Sequence, residues 1–398
     1  MSRLACLLPW FGAFLCAGAL VACTEDGDDV TSGSGGTAGD GGSGGSGAAT
    51  SAGGNGGSGA GTTGTNPEGG AGGTSPEVVL SEAHCPGGAP TLAKGTVIVF
   101  GGGGTEGRTS FTQDGASWSD VTTVSNGPQF EGHSRNLIRG VGYGGGVFVA
   151  VGGLDNAYVV TTCDGEHYRQ DVLGTNIEGD IPAPYADFMS DVAYKDGVFV
   201  AAGGGGKKIV SKDHGLTWQA VGGGEPGHLR GIAAGNGLFV VAGHLWNSDD
   251  AMIATSPDGE TWSETATSPG GLGRGVVFGN GLFVAIGATR CVRSKDGVAW
   301  TDCGISGGAD QMGLHFVNGQ FLVQRADGTA SMSADAETWT SEDGWLPDRI
   351  VWNEKRYIMS RWGARGWSEG SLFQWNQTQF PVDQGLGDLA SGPITYSP

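Results

Sequence analysis

A unit of four short strands recurs along the chain from Gly95 onward, and no other feature constrains the fold as strongly. Three clear copies span residues 191–218, 231–262 and 275–300. In each copy an apolar segment leads through an Asn-Gly or Asp-Gly turn into a second apolar segment of the Leu-Phe-Val-Ala type. Such turns between apolar segments are the strongest short-range signal for a β-hairpin. Two further segments, joined by a turn that contains Asp and Gly, complete four antiparallel strands, which is the blade pattern of a β-propeller.

The turn between the third and fourth predicted strands carries an aspartate and, four or five residues later, an aromatic residue. Its fullest form runs from Ser211 to Trp218 as Ser-Lys-Asp-His-Gly-Leu-Thr-Trp. The aspartate can accept backbone N–H bonds within the turn, and the aromatic ring has a large apolar area to pack between blades. One such turn per blade spreads the aspartates around the ring, which favours a structural role over a catalytic or metal-binding one. The six pairs are Asp114 and Trp118, Asp164 and Tyr168, Asp213 and Trp218, Asp258 and Trp262, Asp296 and Trp300, and Asp335 and Trp339.

This Ser-x-Asp-x-Gly-x-Thr-Trp motif resembles the Asp-box of sialidases and related BNR-repeat β-propellers. The blades are also similar to those of the Ycf48/HCF136-like photosystem II assembly propellers, which perform no chemistry. The sialidase resemblance implies an arginine triad that binds a carboxylate, a Tyr nucleophile paired with Glu, and an acid/base Asp. The Arg-Ile-Pro motif that sialidases carry near their N-terminus is absent from this sequence, and a shared fold does not transfer catalysis.

Six Asp turns do not by themselves give the number of blades. A degenerate seventh unit follows, with two strands predicted in 349–360 and two more between 366 and 375. The first unit begins at 96–101, which aligns with a second strand, and the C-terminal residues 393–398 resemble a first strand without a successor. We therefore predict an all-β fold: a seven-bladed β-propeller of four-stranded antiparallel blades over residues 79–398, closed by pairing of the C-terminal and N-terminal half-blades. Closure leaves no long exposed sheet edge.

The N-terminus has the pattern of a bacterial export signal. Arg3 precedes an apolar stretch that ends in Leu20-Val-Ala-Cys23, which resembles a lipobox and implies acylation of Cys23. An ordinary signal peptide with a chance cysteine is the alternative. We predict a lipoprotein signal peptide at 1–22 and a disordered Gly/Ser/Thr-rich tether at 23–78, because the tether has almost no apolar side chains to bury. The expected location is the cell envelope, at the outer membrane or cell surface, with membrane contact through the lipid only.

The cysteines of the repeat region are even in number, and export permits disulfides. Cys291 and Cys303 flank one Asp turn and are predicted to be cross-strand partners. Cys85 and Cys163 are left as the second pair, which would pin the incoming tether, although this pairing is the less constrained of the two. Neither pair has the spacing of a metal site.

Several function classes are disfavoured. The net charge of −20 opposes nucleic-acid binding. The Gly-x-Gly-x-x-Gly match near Gly101 leads into an Asp turn where a dinucleotide site needs a helix. The histidines lack zinc-like spacing, and the sequence contains no P-loop. We predict no cofactor, no bound metal and a monomeric state.

The face opposite the Asp turns is predicted to receive the longest loops, which usually carry function. An arginine begins the first strand of four units, and arginine binds carboxylate, sulfate or phosphate through paired hydrogen bonds. Alternatively, these arginines pair with neighbouring acids and only bracket the channel. The predicted binding residues are Arg139, Arg230, Arg274 and Arg349, with His133, His228, Trp246 and Tyr185 nearby.

These features favour a surface-tethered, non-catalytic recognition or scaffold propeller that binds an acidic glycan or a protein partner on the arginine-bearing face. The alternative is a sialidase-like glycoside hydrolase or lyase acting on acidic glycans, and a purely structural or assembly role is a third reading. No catalytic residue is assigned. Tyr185, Glu131 and Glu178 are placed in loops of that face, but they form no recognisable Tyr–Glu pair in the sequence.

Overall fold

The structure of this chain is a computed structural model. It describes residues 80–103, 107–124, 129–130, 133–134, 137–153, 157–173, 188–221, 227–245, 251–268, 272–305, 310–361, 363–381 and 385–396. The predicted signal peptide, Cys23 and the predicted tether lie outside these residues and stay predictions. Within the described residues, no helix is long and apolar enough to cross a membrane.

Thirty strands make up the regular structure of the described residues. They are β1 (Val97–Gly103), β2 (Arg108–Thr112), β3 (Thr122–Thr123), β4 (Gln129–Phe130), β5 (His133–Ser134), β6 (Ile138–Gly144), β7 (Val147–Gly152), β8 (Ala157–Thr162), β9 (Arg169–Leu173), β10 (Met189–Lys195), β11 (Val198–Gly203), β12 (Lys208–Ser211), β13 (Gln219–Val221), β14 (Gly227–Gly235), β15 (Leu238–Leu245), β16 (Ala251–Ser256), β17 (Ser263–Ser268), β18 (Leu272–Gly279), β19 (Leu282–Gly287), β20 (Cys291–Ser294), β21 (Thr301–Asp302), β22 (Gln311–Val317), β23 (Gln320–Arg325), β24 (Thr329–Ser333), β25 (Thr340–Asp343), β26 (Arg349–Trp352), β27 (Tyr357–Arg361), β28 (Ala364–Ser368), β29 (Asn376–Gln379) and β30 (Asp388–Pro393).

These strands form seven four-stranded antiparallel sheets arranged as the blades of a ring, so the predicted seven-bladed propeller is confirmed. Blade 1 has the order β30-β1-β2-β3, and blades 2 to 7 are β6–β9, β10–β13, β14–β17, β18–β21, β22–β25 and β26–β29. The short strands β4 and β5 form a separate ribbon. The first strand listed for each blade is the innermost one, and neighbouring blades meet through these strands.

Ring closure occurs through the pairing of β1 with β30, in a register that sets Val97 opposite Pro393. The closing strand runs over Asp388–Pro393, earlier than the 393–398 segment expected from the sequence. The chain beyond it still follows the first blade, because Ile394 accepts a hydrogen bond from Gly95 and donates one to the carbonyl of Thr96. Asp388 occupies the position in β30 that Asp191 occupies in β10. The sequence repeat did not reveal this equivalence, because the closing strand was expected at 393–398.

Tight turns between the first and second strands explain the Asn-Gly repeats. Asn236 and Gly237 have φ values of 47° and 79°, the left-handed region that Asn and Gly tolerate. The Asn236 side chain also reaches the next blade, where its Nδ2 donates to the carbonyls of Gly281 and Lys295 at 3.0 and 2.8 Å. The turn residue therefore both closes its own hairpin and joins neighbouring blades.

The Asp turns are held by their own aspartates, and Asp258 shows the pattern. Its Oδ1 accepts the N–H groups of Glu260 and Thr261, each at 2.8 Å, which lowers the pKa of the carboxyl to about 2. Trp262 closes the turn by donating its Nε1–H to the carbonyl of Gly259 at 2.9 Å. In blade 7 the hydroxyl of Ser371 takes the place of the carboxylate and accepts the N–H groups of Phe373 and Gln374, each at 3.1 Å. The aspartates with the same pair of N–H donors are Asp114, Asp164, Asp296 and Asp335.

The apolar core lies between neighbouring blades as seven separate clusters. The second strand of each complete repeat is buried on both faces, as the Leu-Phe-Val-Ala pattern predicts. Its phenylalanine is fully buried in blades 2 to 6. Burying such rings contributes about 1.5–3 kcal/mol each, so the blades are joined mainly by this apolar contact.

Both predicted disulfides are confirmed. Cys291 and Cys303 join β20 to the residue after β21, with Cα atoms 5.2 Å apart. Cys85 and Cys163, with Cα atoms 5.4 Å apart, attach the segment before blade 1 to the Asp turn of blade 2. His84 extends this attachment, because its Nε2 lies 3.1 Å from the carbonyl oxygen of Asp213 in blade 3.

Candidate functional site on the arginine face

The two ends of the ring differ in what they present. Since all strands of a blade are antiparallel, the innermost strands begin at one end and the Asp turns lie at the other. We call the end where the innermost strands begin the arginine face, and the other end the Asp-turn face. The second and fourth strands of each blade end at the arginine face.

A β-bulge sets the direction of three of the four predicted arginines. The pairing of β6, β14 and β18 with their second strands shifts register at Arg139, at Arg230 and over the two residues Gly273 and Arg274. A bulge leaves its extra residue out of the ladder and can redirect its side chain. The same shift occurs at Ser190 in β10 and at Met312 in β22. The same kind of register shift thus places a residue outside the strand ladder near the start of the innermost strand in five consecutive blades.

The bulged residues of blades 2 to 4 belong to a continuous set of contacts. The guanidinium of Arg139 lies 4.4 Å from the ring centre of Phe188, whose ring stands 5.0 Å from that of His228 at 86°. The Oγ of Ser190 is 3.2 Å from Nε2 of His228. His228 in turn lies 5.6 Å, between ring centres, from His244. We call this set, together with Arg230 and Arg274, the histidine–arginine arc.

Two arginines, in blades 4 and 5, continue the arc as far as the first residue of β22 in blade 6. Arg230 directs its Nε toward Nδ1 of His244 at 3.4 Å, and Arg274 donates from an Nη to the carbonyl of Gln311 at 2.5 Å. Among the residues that the structure describes, neither guanidinium is paired with a carboxylate. Burial and the positive charge of Arg274 both lower the pKa of Arg230. The two cations therefore repel each other, and a bound anion would relieve that repulsion.

His228 is neutral in this setting. Burial lowers its pKa most, and Arg230, His244 and Arg139 lower it further, to about 3. A neutral imidazole has one donor and one acceptor nitrogen. The arc thus combines guanidinium charges with a neutral, half-buried ring system, which suits binding of a planar or tetrahedral anion.

Arg349 is placed differently from the other three. Its residue pairs regularly with Ser360, without a bulge. Its Nε lies 2.9 Å from Oδ1 of Asp388, which is 1% exposed, and an Nη donates to the carbonyl of Asp348 at 2.7 Å. Arg349 therefore agrees with the alternative interpretation, in which an arginine pairs with a neighbouring acid.

Asp191 and Asp388 are the buried acids of the channel, and both serve as links between blades. Asp191 accepts the N–H of Ile232 in the next blade at 3.1 Å, and Asp388 accepts that of Val141 at 2.8 Å. Burial raises both pKa values, that of Asp191 to about 8, with Asp388 adding to the effect, and that of Asp388 to about 6, against the opposing charge of Arg349. At 1% exposure neither carboxyl is open to a substrate.

One group on the Asp-turn face has the composition of a metal site. Asp164, Glu166 and His167 offer ligand atoms within 4.8 Å of one another. These atoms already have protein partners: Asp164 binds Nδ1 of His167 at 2.8 Å, and Glu166 accepts the N–H of Thr91 at 3.0 Å. The group reads as part of the attachment of the N-terminal segment.

Several predicted site residues cannot be placed. Tyr185 and Trp246 lie outside the described residues, as do Glu131 and Glu178. The backbone of His133 belongs to β5, but its side chain lies outside the described residues as well.

Sequence reasoning did not assign Phe188, His244, Asp191 or Asp388 to the site. The two aspartates occupy equivalent places in β10 and β30, where most other blades have glycine. An aspartate at a position where most other repeats have glycine can be recognised from the sequence. Phe188 precedes its strand and has no such signal, since its role depends on the neighbouring blade.

No protein-family model and no curated protein matches this chain. Similar solved structures include Ycf48 bound to a D1 peptide, with 17% identity over 68% of this chain and 91% of that chain at a TM-score of 0.45. Ycf48 from Cyanidioschyzon merolae has 13% identity over 64% of this chain and 87% of its own, with a TM-score of 0.43. A nidogen/laminin complex has 11% identity over 62% and 92%, with a TM-score of 0.41. The description of this chain as a seven-bladed propeller rests on its own strand topology.

Proposed function

We propose that this protein is a non-catalytic recognition propeller that binds an anionic group of a glycan or protein partner through its arginine face. The observation that carries the proposal is the pair Arg230 and Arg274, two mutually repelling guanidiniums without a carboxylate partner among the described residues. Guanidiniums hydrogen-bonded only to neutral groups keep their charge available for carboxylate, sulfate or phosphate.

A catalytic role has less support. The buried carboxyls of Asp191 and Asp388 accept backbone N–H groups and are closed to substrate. The hydroxyls of Tyr143 and Tyr158 donate to backbone carbonyls at 2.7 Å, and burial raises both pKa values. The sialidase-like alternative therefore depends on Tyr185, which lies outside the described residues.

The test compares two double variants of equal charge. Arg230→Ala with Arg274→Ala removes two cations from the arginine face. Arg293→Ala with Arg356→Ala removes two from the Asp-turn face, where these residues pair with Glu337 and Glu369. Both variants are tested against sialylated oligosaccharides, uronate oligomers and acidic peptides, with analysis of products.

The expected result is a loss of affinity of about tenfold or more in the first variant only, since each lost charge-assisted contact is worth about 1.5–3 kcal/mol. A lower melting temperature with unchanged binding would show that the arginines are structural. Turnover of any sialoside or uronate would overturn the non-catalytic assignment.

A further inference from the structure

A pocket opens in the turn of blade 7, on the Asp-turn face, between the end of β28 and the start of β29. Its volume is about 330 Å³, at the lower end of the range of pockets that bind small molecules. The residues that line it all belong to this turn or its flanking strands: Ser368, Gly370, Ser371, Gln374, Trp375 and Asn376. The pocket therefore lies in the blade where a serine takes the place of the turn aspartate.

The exchange of aspartate for serine changes which groups the turn satisfies. In blade 4 the carboxylate of Asp258 accepts two backbone N–H groups and also the hydroxyl of Ser256, at 3.0 Å. Ser371 has a single side-chain oxygen, and this oxygen accepts the two N–H groups of its turn. Ser368, the counterpart of Ser256, accepts the N–H of Ser371 at 3.2 Å and lies one residue further from it along the chain than in blade 4. It therefore has no carboxylate to which it can donate.

Hydrogen-bonding capacity is left over at the pocket as a result. Within the part of the chain that the structure describes, neither Ser368 nor Ser371 has an acceptor for its hydroxyl proton. The side-chain amides of Gln374 and Asn376 are exposed and have no hydrogen-bond partner among the same residues. Ser368 is 4% exposed and forms the floor of the pocket, whereas Ser371 is partly accessible. Polar groups that the protein leaves unpaired are satisfied by water or by a ligand.

Charge selects against an anion at this pocket. Of the described residues that line it, none is charged. Glu369, in the same turn, is paired with Arg356, whose Nη2 donates to its carboxylate at 2.9 Å. The two N–H groups that stabilise a carboxylate in the other turns are already used by Ser371, and the chain carries −20 overall. A neutral ligand that offers hydroxyl groups matches the pocket better.

The chemistry of the lining corresponds to that of a sugar. Hydroxyl and amide groups both donate and accept hydrogen bonds, as the hydroxyls of a sugar ring do. Trp375 is held in place because its Nε1–H donates to the carbonyl of Leu372 at 2.9 Å, and its ring forms the apolar wall. An apolar side chain of a peptide would find only this one apolar group among the lining residues.

We infer that the turn of blade 7 binds one residue of a neutral saccharide. Ser371, Gln374 and Asn376 form hydrogen bonds with its hydroxyls, and the ring of Trp375 packs against its carbon atoms. The site lies on the opposite face from Arg230 and Arg274, so it does not depend on the proposed function.

The experiment applies the labelled full chain to an array of neutral oligosaccharides built from glucose, mannose, galactose and N-acetylglucosamine. Each oligosaccharide that binds is then titrated by calorimetry. Ser371→Asp installs the carboxylate of the other blades, which fills part of the pocket and accepts the hydroxyl of Ser368. It should weaken saccharide binding about tenfold or more without lowering the melting temperature. Gln377→Asp makes the same change of charge at an exposed position of β29 outside the pocket, and it should leave binding unchanged.

A second pair of variants tests the amide. Gln374→Ala removes a hydrogen-bonding group from the pocket and should weaken binding about fivefold or more, whereas Gln377→Ala removes an exposed amide beside it and should have no effect. Because the side chain of Gln374 is exposed, this variant carries the test if Ser371→Asp fails to fold.

The inference is overturned if no neutral oligosaccharide binds, which would leave water as the occupant of the pocket. It is also overturned if binding survives in both Ser371→Asp and Gln374→Ala, or if a neutral Ser/Gln peptide binds and the saccharides do not. The Arg230→Ala and Arg274→Ala pair should retain saccharide binding, so failure of this site and failure of the proposed function are separate results.

Discussion

Arg349 of blade 7 places its Nε 2.9 Å from Oδ1 of Asp388, which lies in β30, the strand of blade 1 that closes the ring. The acid is 1% exposed and also accepts the N–H of Val141 in blade 2. Asp388 thereby touches three consecutive blades. The Arg349–Asp388 pair therefore holds blades 7, 1 and 2 together, whereas Arg230 and Arg274 form the candidate binding surface.

Arg349→Ala is therefore expected to lower the free energy of unfolding by about 2–4 kcal/mol, less than loss of a fully buried pair because Arg349 retains some exposure. The loss should be larger at pH 8 than at pH 5, since Asp388, whose pKa is raised to about 6, is ionised at the higher pH. Urea denaturation at the two pH values measures it. Arg349→Lys should recover part of the loss, and an equal cost at both pH values would contradict the role assigned to the pair.

The titration of Asp191 should also make the free energy of unfolding depend on pH. Burial raises its pKa to about 8, above the unfolded value of about 3.9. A raised pKa contributes stability that is complete below pH 4 and is lost as the pH rises through 8. Asp191→Asn cannot titrate, so it should be less stable than the wild type at pH 5 by an amount that shrinks toward pH 8.5. Melting curves across this range provide the measurement, and Asp258→Asn, whose parent carboxyl has a lowered pKa, is the control that should lack this trend.

The two disulfides should differ in their contributions. They close loops with sequence separations of 78 and 12 residues. On the chain-entropy model these correspond to about 4.5 and about 3 kcal/mol. Replacing Cys85 and Cys163 with Ala is thus expected to lower the melting temperature more than replacing Cys291 and Cys303. The reverse order in calorimetry would show that the attachment of the N-terminal segment is not coupled to folding of the ring.

The predicted lipid anchor has a direct test. Expressed in a bacterial host with labelled palmitate, the wild-type chain should incorporate label and sediment with membranes, because acyl chains give stable attachment. Cys23→Ser should lose both properties, whereas Cys16→Ser, in the predicted signal peptide, should keep them. Export and cleavage without incorporation of label would support the ordinary signal peptide instead.

The fold could be predicted because each blade repeats the same local requirements. Asn236 adopts a conformation that few residues tolerate, and Asp258 satisfies its own turn, so both appear in the sequence as motifs. The direction of Arg230 could not be predicted, since it depends on a register shift that only the paired strand reveals. Arg349 looked equivalent to Arg230 in sequence, and the difference arises from Asp388, which the chain brings in from its far end.

The neutral state of His228 gives a last prediction for the arginine face. Its pKa, lowered to about 3, leaves the imidazole uncharged between pH 6 and 8, while the guanidiniums stay charged throughout. His228 should therefore contribute no change in affinity for an acidic peptide or uronate oligomer over this range, and any change that comes from the carboxyls of Asp191 and Asp388 should persist in His228→Gln. The NMR signals of His228, assigned with His228→Gln, should not titrate there either. An anion seated beside the ring favours the imidazolium and should raise this pKa, so affinity should begin to increase only at lower pH. A change in affinity near pH 6.5 that His228→Gln abolishes would mean that the ring is charged in the free protein, and the arc would then hold one more cation than the geometry indicates.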